Sequence, residues 1–413
     1  MRILHINKYN HERDGVGRYL HDIMRLCTNR GIPCALLAMQ HPNNTLSPWE
    51  QYFLPYHNTV TLGKGYALWK HVRTAWWNKE AYACTMRIIA AFKPTVIHVH
   101  NIYTHFSPSV LQAAYDAGIP VVFTFHDYGY ISANYGLFAN GLPVSSTASL
   151  LTIAKTRWIK GSFLATGVLD VFVRLQRKMH RWEKGVTHML TASEHMKRAY
   201  VAAGYCEQDI QVLHLPSGVL TVGMTPSFIP PSVPRVVFAG RFEENKGIGM
   251  VFALAWRMPG VAFVCIGKRE NERFVYEDNV PNNVTLLPVL PPHALWEEMR
   301  TASAVLMPTL SNEPFGLVAL EALSLGTPVI ASNRGALPEI IAHEVSGYVL
   351  EPRNTEAWIH AITQCLPTKN NQEFLVRMRK AAHARALAVG NPEAHIAALV
   401  QVYEESIKKY TLL

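Results

Sequence analysis

The sequence predicts an α/β protein with two successive doubly wound domains, each a parallel sheet between two layers of helices. Three observations support this prediction. The 413 residues exceed what a single hydrophobic core usually organises. Short apolar runs rich in Val and Ile alternate with amphipathic stretches, which is typical of parallel strands covered on both faces by helices. The alternation stops once, in a proline-rich stretch at 216–234, and then restarts.

The first domain is predicted to span residues 1–215, and the stretch 216–234 to be an interdomain linker. Apolar runs flanked by turn residues are candidate strands, and the amphipathic stretches between them are candidate helices. The predicted strands are Arg2–Asn7, Pro33–Ala38, Thr95–His100, Pro120–His126, Thr187–Thr191 and Gln211–His214, and the predicted helices are Gly17–Thr28, Ala81–Phe92, Pro108–Ala117 and Glu194–Ala203. The linker prediction rests on five prolines and the absence of charged residues in 216–234.

The second domain is predicted to span residues 235–390, where the same alternation restarts. The predicted strands are Arg235–Ala239, Ala262–Ile266, Val284–Leu287, Ala304–Met307, Pro328–Ala331 and Gly347–Leu350, and the predicted helices are Gly247–Arg257, His293–Arg300, Pro314–Leu325 and Thr355–Cys365. A terminal segment, 391–413, contains one more amphipathic helix at Pro392–Tyr410. Ligands of doubly wound sheets bind beyond the carboxyl ends of the strands, so the functional site is expected in the strand-to-helix turns.

Composition narrows the class of protein. An apolar content of 49% and a charged content of 17% indicate a globular rather than a disordered chain. The net charge of +9 favours anionic partners such as phosphorylated small molecules, nucleic acid or acidic lipids. The six cysteines form no C-x-x-C pair and are predicted to be reduced, buried thiols of a cytosolic protein. Neither a signal peptide nor a membrane-spanning segment is expected.

The sharpest candidate site is the block EPFGLVALE from Glu313 to Glu321, followed by Gly326. Pro314 suits the first position of a helix and Gly326 suits its end, so both carboxylates would lie on one helix. Their separation is roughly 12 Å of helix rise, comparable to the distance from the sugar ring to the ribose of a nucleotide sugar. Free backbone N–H groups at Phe315–Leu317 would hold phosphate oxygens. An ordinary capped helix with two acidic residues is the alternative.

A second candidate is the segment AGRFEENKG, residues 239–247, directly after the first predicted strand of the second domain. Gly240 would let the backbone approach a ligand, and Arg241 and Lys246 bring two cations to one turn. Positioned cations stabilise the negative charge that develops on a diphosphate leaving group. The alternative is a polar turn in which both cations pair with the neighbouring glutamates.

Two features of the first domain are weaker signals. Gly15 and Gly17 belong to a shortened glycine loop, DGVG, that is typical either of a phosphate-facing turn or of a plain tight turn. His126 ends a very apolar strand, and the adjacent Asp127 could orient its imidazole ring.

A metal-dependent hydrolase is a competing interpretation of the first domain. His98 and His100 lie on one face of a predicted strand and, with His126, would offer imidazole ligands to zinc. The carboxylates expected beside such a site are scarce, since the chain has seven Asp.

Residues 151–184 carry much of the positive charge. The segment has eight Lys and Arg against Asp170 and Glu183, with Trp and Phe interleaved. Such a composition is typical of a helix that lies in an anionic membrane interface. It is also typical of a core-packing helix with a solvated basic face, and both interpretations stay open.

Taken in order, these blocks resemble family 4 of the retaining glycosyltransferases (glycosyl transferases group 1), whose GT-B fold has two Rossmann-like domains facing a cleft. The resemblance covers nearly the whole chain. It includes VFAGRFEENKGI, the E-x7-E block and GTPVIASNRGALPEII in the second domain, and VIHVHNIYTHFSPSVLQAAYDAGIPVVFTFHDY in the first.

The resemblance implies roles for the candidate residues. Arg241 and Lys246 would bind the donor diphosphate, Glu313 the hydroxyls of the donor sugar, and Glu321 those of the ribose, with His126 near the sugar. The implied catalytic residues are His126 and Glu313, and the implied donor-binding residues are Gly15, Gly17, Gly240, Arg241, Lys246, Glu313, Phe315, Gly316, Leu317 and Glu321. No metal and no cofactor are implied, because the UDP- or GDP-linked sugar is a substrate. The last helix would return to the N-terminal domain.

The resemblance therefore predicts a retaining, metal-independent hexosyltransferase. It would pass a sugar from the nucleotide sugar to a glycan or lipid-linked saccharide during cell-surface polysaccharide assembly. The expected place is the cytoplasm, peripheral at the inner face of the membrane, which 151–184 would contact; no nucleic acid partner is expected. A GT-B-fold epimerase or phosphorylase is the enzyme alternative.

Overall fold

The computed structural model describes residues 1–12, 15–56, 73–159, 161–268 and 280–411. The chain divides into two compact units. The first unit comprises Met1–Tyr135, Ser146–Leu213 and Glu393–Leu413, and the second comprises Gly136–Ser145 and His214–Pro392. The final helix thus belongs to the unit in which the chain begins. The short segment 136–145, which interrupts the first unit in sequence, belongs to the second unit.

The described ranges contain strands and helices in regular alternation. The strands are β1 (Ile3–Ile6), β2 (Cys34–Leu37), β3 (Val96–Val99), β4 (Val121–Phe125), β5 (Phe138–Ala139), β6 (Leu142–Pro143), β7 (Val186–Thr191), β8 (Ile210–Val212), β9 (Arg235–Ala239), β10 (Ala262–Ile266), β11 (Val284–Leu287), β12 (Ala304–Met307), β13 (Val329–Ser332) and β14 (Gly347–Leu350). The helices are α1 (Gly15–Asn29), α2 (Lys79–Phe92), α3 (Tyr103–Phe106), α4 (Ser109–Asp116), α5 (Leu150–Lys155), α6 (Phe163–Lys178), α7 (Glu194–Ala202), α8 (Gly218–Thr221), α9 (Ile248–Arg257), α10 (Pro292–Arg300), α11 (Leu317–Ser324), α12 (Leu337–Ile340), α13 (Thr355–Cys365), α14 (Gln372–Gly390) and α15 (Pro392–Thr411).

The sheet of the first unit is parallel, with the strand order β2-β1-β3-β4-β7-β8. From β1 the chain continues to β2 on one side of the sheet, and from β3 to β4 on the other side. Ligands are therefore expected beyond the carboxyl ends of the neighbouring strands β1 and β3. Every residue of β1 and β3 is buried, as expected for strands with helices on both faces.

The sheet of the second unit is also parallel, with the order β11-β10-β9-β12-β13-β14. From β9 the chain continues to strands on one side of the sheet, and from β12 to strands on the other side. The expected ligand site therefore lies between these two strands, beyond Ala239 and Met307. Helix α9 covers this sheet with the spacing of an amphipathic helix, because Ile248, Val251 and Ala255 all point into the core that contains Trp358.

Each of the twelve predicted strands is present, and the prediction of two doubly wound parallel sheets is confirmed. The predicted glycine loop is wrong at Gly15 and Gly17, because both lie in the first turn of α1; its Asp14 lies outside the described residues. Helix α14 and the β5–β6 hairpin were not predicted from the sequence. The Gly141 carbonyl of this hairpin accepts a hydrogen bond from Arg353 at 3.0 Å.

The proline-rich segment 216–234, predicted as a linker, lies within the second unit. Val219 in α8 is fully buried. The Ser217 hydroxyl accepts a hydrogen bond from Ser324 of α11 at 2.7 Å, and the Ser217 N–H donates to the carbonyl of Gly390 at 3.0 Å. The start of this segment is therefore packed against α11 and α14.

All six cysteines are free thiols, and four of them are buried. Cys34 is half-buried and Cys206 is exposed, so the prediction that every thiol is buried is wrong for these two. None of the helices in the described part of the chain combines the length and hydrophobicity that a bilayer crossing requires.

Candidate functional site

The candidate site of the second unit lies where β9 and β12 end side by side. These strands pair in parallel register, with Leu306 opposite Phe238. The loop after β9 carries Arg241 and Lys246, and the loop after β12 carries Glu313. The topology therefore brings the two predicted segments of the second domain to one edge of one sheet.

An ion pair joins the two loops. The Lys246 ammonium nitrogen lies 2.5 Å from a carboxylate oxygen of Glu313, whose side chain is 9% exposed, whereas that of Lys246 is 26% exposed. A lysine and a carboxylate at this distance form a charge-assisted hydrogen bond. Lys246 thus pairs with a largely buried carboxylate from the other loop.

The backbone carbonyl of Asn245 fixes the two loops against each other. It accepts hydrogen bonds from the Leu310 N–H at 2.8 Å and from the Thr309 hydroxyl at 2.8 Å. Because Asn245 directly precedes Lys246, these bonds set the position of the lysine relative to the loop that carries Glu313.

A third loop, after β13, supports the backbone of Glu313. The Ala336 N–H donates to the Glu313 carbonyl at 2.9 Å. Gly335 has φ +61°, and a Cβ at this position would lie 2.1 Å from the Glu313 carbonyl oxygen. Only glycine fits this contact without displacing Glu313, since the backbones approach closely and φ is positive.

Helix α11 begins at Leu317, three residues later than predicted. Gly316 has φ +110°, precedes the first helical residue and, as a glycine, gives the helix no N-terminal side-chain cap of its own. The prediction that Pro314 occupies the first helical position is therefore wrong, because the chain needs the left-handed glycine to turn into the helix. Glu313 lies in the loop before the helix, whereas Glu321 lies within it.

The predicted residues of this block are mostly buried. Phe315 is 4% exposed and Glu321 is 2% exposed. The Phe315 ring packs against the ring of His214, with centroids 5.8 Å apart. Helix α11 begins beside these residues, and the first backbone N–H groups of a helix have no partner within the helix.

Arg241 occupies a more open position. Its guanidinium pairs with Glu243 at 3.1 Å and is exposed, as the alternative interpretation of this turn anticipated. Its neighbour Gly240 donates its N–H to the Ile266 carbonyl at 3.0 Å. Arg241 and Lys246 therefore lie on one turn in different surroundings, one solvated and one beside a buried carboxylate.

In the first unit, His126 belongs to a row of buried imidazoles. Its Nε2 lies 3.1 Å from Nδ1 of His100, and Nε2 of His100 lies 3.3 Å from Nδ1 of His5. The ring partner of His126 in the structure is thus an imidazole. The Asp127 carboxylate, predicted to orient the ring, accepts hydrogen bonds from the Tyr103 hydroxyl and the Gly129 N–H.

Burial keeps the imidazoles of His98, His100 and His126 neutral. It lowers the pKa of His126 to about 3. Burial, followed by the influence of neighbouring histidines, holds the pKa values of His98 and His100 well below their ordinary value. At neutral pH His98, His100 and His126 can therefore accept hydrogen bonds and carry no positive charge.

The histidines do not form the zinc site of the competing interpretation as they stand. His98 already uses both ring nitrogens, at 2.6 Å from the Tyr403 hydroxyl and 2.7 Å from the Thr124 hydroxyl. The His98 ring would have to break these bonds to bind a metal. Candidate ligand atoms within 4.8 Å of one another come from His5, His98 and His100, a group that does not include His126.

Gly15 and Gly17 also lie in the first unit. Gly17 is buried, and a Cβ there would lie 2.3 Å from the carbonyl oxygen of His11. The close passage of the His11 backbone therefore requires glycine at 17. The donor-binding roles of both glycines stay predictions.

Two supporting residues of the candidate site escaped the sequence analysis. Asn245 acts through its backbone carbonyl, which no side-chain pattern reveals. Gly335 lies in the block GTPVIASNRGALPEII, and a glycine after a strand was the available signal.

Two family models match the chain in sequence. The family described as Glycosyltransferase Family 4 matches residues 13–216, and the family described as Glycosyl transferases group 1 matches residues 225–385. The two matches follow one another with little gap, and the second contains the whole candidate site of the second unit.

The chain is also similar in sequence to individual proteins that are named as glycosyltransferases. A D-inositol 3-phosphate glycosyltransferase of Segniliparus rotundus is 28% identical in an alignment that covers 58% of this chain and 58% of that protein. The match thus spans somewhat more than half of the length of this relative.

Solved structures match over nearly all of the chain. Sucrose-phosphate synthase of Thermosynechococcus elongatus has a TM-score of 0.69 at 18% identity and 98% coverage of both chains. Anabaena HepE, solved in complex with UDP-glucose, has a TM-score of 0.64 at 16% identity, with 98% and 100% coverage. At these identities the likeness shows the fold.

Proposed function

We propose that this chain, which belongs to the family 4 (group 1) glycosyltransferases and has the GT-B fold, transfers a hexose-type sugar from a nucleotide-diphosphate sugar with retention of configuration. The observation that carries this proposal is the Lys246–Glu313 pair at 2.5 Å, at the switch point of the second sheet. A cation for phosphate and a carboxylate for sugar hydroxyls lie side by side there, next to the start of α11.

The chemistry proposed for these residues is charge stabilisation and positioning. When the bond to the sugar breaks, negative charge builds up on the diphosphate, and Lys246, Arg241 and the N–H groups of α11 offset it. Glu313 accepts hydrogen bonds from the sugar, and Glu321 accepts them from the ribose. The departing phosphate oxygen takes the proton of the acceptor hydroxyl on the same face of the sugar, so neither a protein nucleophile nor a metal is required in this scheme.

The acceptor is proposed to be a glycan or lipid-linked saccharide of cell-surface polysaccharide assembly, modified in the cytoplasm at the inner face of the membrane. A phosphorylated polyol is the second candidate, because the matched Segniliparus relative is named for D-inositol 3-phosphate. A saccharide linked to a lipid diphosphate and a phosphorylated polyol are both anionic, which suits a chain with a net charge of +9.

A thermal-shift screen over UDP-, GDP- and ADP-glucose tests the donor. A ligand at a hundred times its dissociation constant should add roughly 2.7 kcal/mol of stability. The stabilising donor should no longer shift the melting temperature of Glu321→Ala. The proposal fails if no nucleotide sugar stabilises the protein, or if Glu321→Ala responds like the wild type.

Incubation of the stabilising donor with each acceptor then separates the reactions. The proposal predicts a glycosylated undecaprenyl-diphosphate saccharide, whereas glycosylated inositol 3-phosphate would favour the second candidate. Donor epimerised without acceptor would indicate an epimerase, and phosphate-dependent sugar release would indicate a phosphorylase.

A further inference from the structure

Helix α6 presents apolar side chains to the solvent. Its outward side chains follow one another at spacings of three and four residues, and each is between 40% and 75% exposed. They are Leu164, Val168, Val171, Leu175 and Met179. This spacing places all five on one face of the helix, and we call this face the apolar stripe.

Polar contacts on the opposite side of α6 fix the direction in which the stripe points. Asp170 is fully buried, accepts a hydrogen bond from the Ala133 N–H at 3.0 Å, and pairs with Arg174 at 2.6 Å. Gln176 is also fully buried and donates to the Ala75 carbonyl at 3.3 Å. The helix cannot rotate to bury the stripe without removing these polar groups from their partners, which is costly.

The neighbouring helix α5 extends the apolar surface. It packs against α6 where Ala154 meets Gly167, and a Cβ on that glycine would lie 3.4 Å from the Ala154 side chain. Leu150 and Leu151 at the start of α5 are exposed. The stripe and these two leucines therefore belong to one pair of packed helices.

Exposed cations accompany this surface. Lys155 and Arg157 lie at the end of α5, and Lys178 lies at the end of α6. The two acidic residues of the segment are both paired, Asp170 with Arg174 and Glu183 with His180. The charge that these helices present to solvent is therefore predominantly positive.

We propose that the α5–α6 surface docks on an anionic lipid bilayer, with the apolar stripe at the level of the acyl chains and the lysines at the headgroups. An apolar helix face accompanied by Lys and Arg is what an interfacial helix requires. A second copy of the chain is a poorer occupant, because two such surfaces would bring their cations together. Helix α6 would then lie in the plane of the membrane surface without crossing it.

Vesicle flotation with the full chain tests this proposal. The probes are phosphatidylcholine vesicles with and without phosphatidylglycerol. The wild type should float with the anionic vesicles at low salt and much less with the neutral ones, because both charge and apolar burial contribute.

Two matched pairs of variants separate these contributions. Leu164→Glu, at 75% exposure, should weaken the partition coefficient at least about tenfold, whereas Ile229→Glu, at 80% exposure in the second unit, should leave it unchanged. Lys155→Ala with Lys178→Ala should weaken binding roughly fivefold per lysine, whereas Lys369→Ala with Lys380→Ala, also exposed, should not.

Three results would overturn the proposal. The first is that the wild type does not float with anionic vesicles, and the second is that the Leu164→Glu and Ile229→Glu proteins float equally. The third is that the wild type forms a dimer without vesicles and that Leu164→Glu dissociates this dimer. The nucleotide-sugar thermal shift of Leu164→Glu should equal that of the wild type. Failure of membrane docking is thus distinguishable from failure of the proposed transferase activity.

Discussion

At the scale of single residues, Lys246 and Glu313 each supply the opposite charge that the other pairs with. Glu313 comes from a loop whose backbone is packed on Gly335, so its carboxylate has little freedom to move towards solvent. Lys246 supplies the opposite charge at 2.5 Å. A donor diphosphate would give Lys246 a second anionic partner while Glu313 turns to the sugar hydroxyls. With the donor bound as proposed, the pair would link the stability of the protein to its affinity for the donor.

Replacing Lys246 by alanine should weaken both properties. The loss of one charge-assisted contact to the diphosphate corresponds to about 1.5–3 kcal/mol, or roughly a 10- to 150-fold rise in the donor dissociation constant. Calorimetric titration with the stabilising nucleotide sugar measures this change. Lys369→Ala, an exposed lysine of the same unit, is the control and should bind as the wild type does.

The melting temperature of the unliganded protein should also fall for Lys246→Ala, because the Glu313 carboxylate is left buried without its cation. Adding Glu313→Gln to Lys246→Ala should restore part of this loss, as expected for residues in direct contact. Strictly additive effects of the two substitutions would show that the pair is not coupled in solution.

At the scale of elements, the candidate site is a set of loops held by backbone contacts. The loops after β9 and β12 are tied by the Asn245 carbonyl, and the loop after β13 supports Glu313 through Ala336. A side chain introduced at Gly335 would act on the site without touching a ligand.

Gly335→Ala should therefore destabilise the protein and weaken donor binding. Its φ is +61° and its Cβ would lie 2.1 Å from the Glu313 carbonyl oxygen. Gly31 is a matched control, since its φ is +67° but nothing lies within 4 Å of its Cβ position. Both substitutions incur the left-handed strain of roughly 1–2 kcal/mol, and Gly335→Ala should cost a further ~1–3 kcal/mol for the clash.

Urea unfolding of the two glycine variants measures this difference, and titration with nucleotide sugar measures the effect on the site. Gly31→Ala should keep the donor affinity of the wild type. If Gly335→Ala is no less stable than Gly31→Ala, the loop after β13 does not constrain Glu313 as the structure indicates.

The central strands were predictable because β1, β3, β4, β12 and β13 are short runs buried along their whole length, as strands covered on both faces are. The start of α11 was not, because Pro314 is a good first helical residue in the sequence while the left-handed turn at Gly316 delays the helix. The pairing of Lys246 with Glu313 was not predictable either, since the two are far apart along the chain. For α6, composition revealed the charge, but the direction of the apolar stripe depends on the buried contacts of Asp170 and Gln176.

At the scale of the whole molecule, the two units differ in their buried polar groups. The first unit holds a fully buried group of imidazoles at His5, His98 and His100, with His126 at its end. It also uses the last helix, whose Tyr403 hydroxyl lies 2.6 Å from His98. The second unit places an ion pair at its switch point instead. Acid should therefore affect the two units differently.

Lowering the pH from 7 to 5 should destabilise the first unit more than the second. Burial depresses the pKa of His126 to about 3, below the value of about 6.5 in an unfolded chain. The unfolded state thus binds more protons below pH 6.5, so this stability is complete above pH 6.5 and is lost as the pH falls towards 3, at about 1.4 kcal/mol per pH unit for each such histidine.

Hydrogen exchange, corrected for intrinsic rates, should show protection falling in β3 and β4 before β9 and β12. His126→Gln should reduce this pH dependence, whereas the exposed His360→Gln should not; equal loss of protection in both sheets would mean that the buried imidazoles do not govern acid sensitivity.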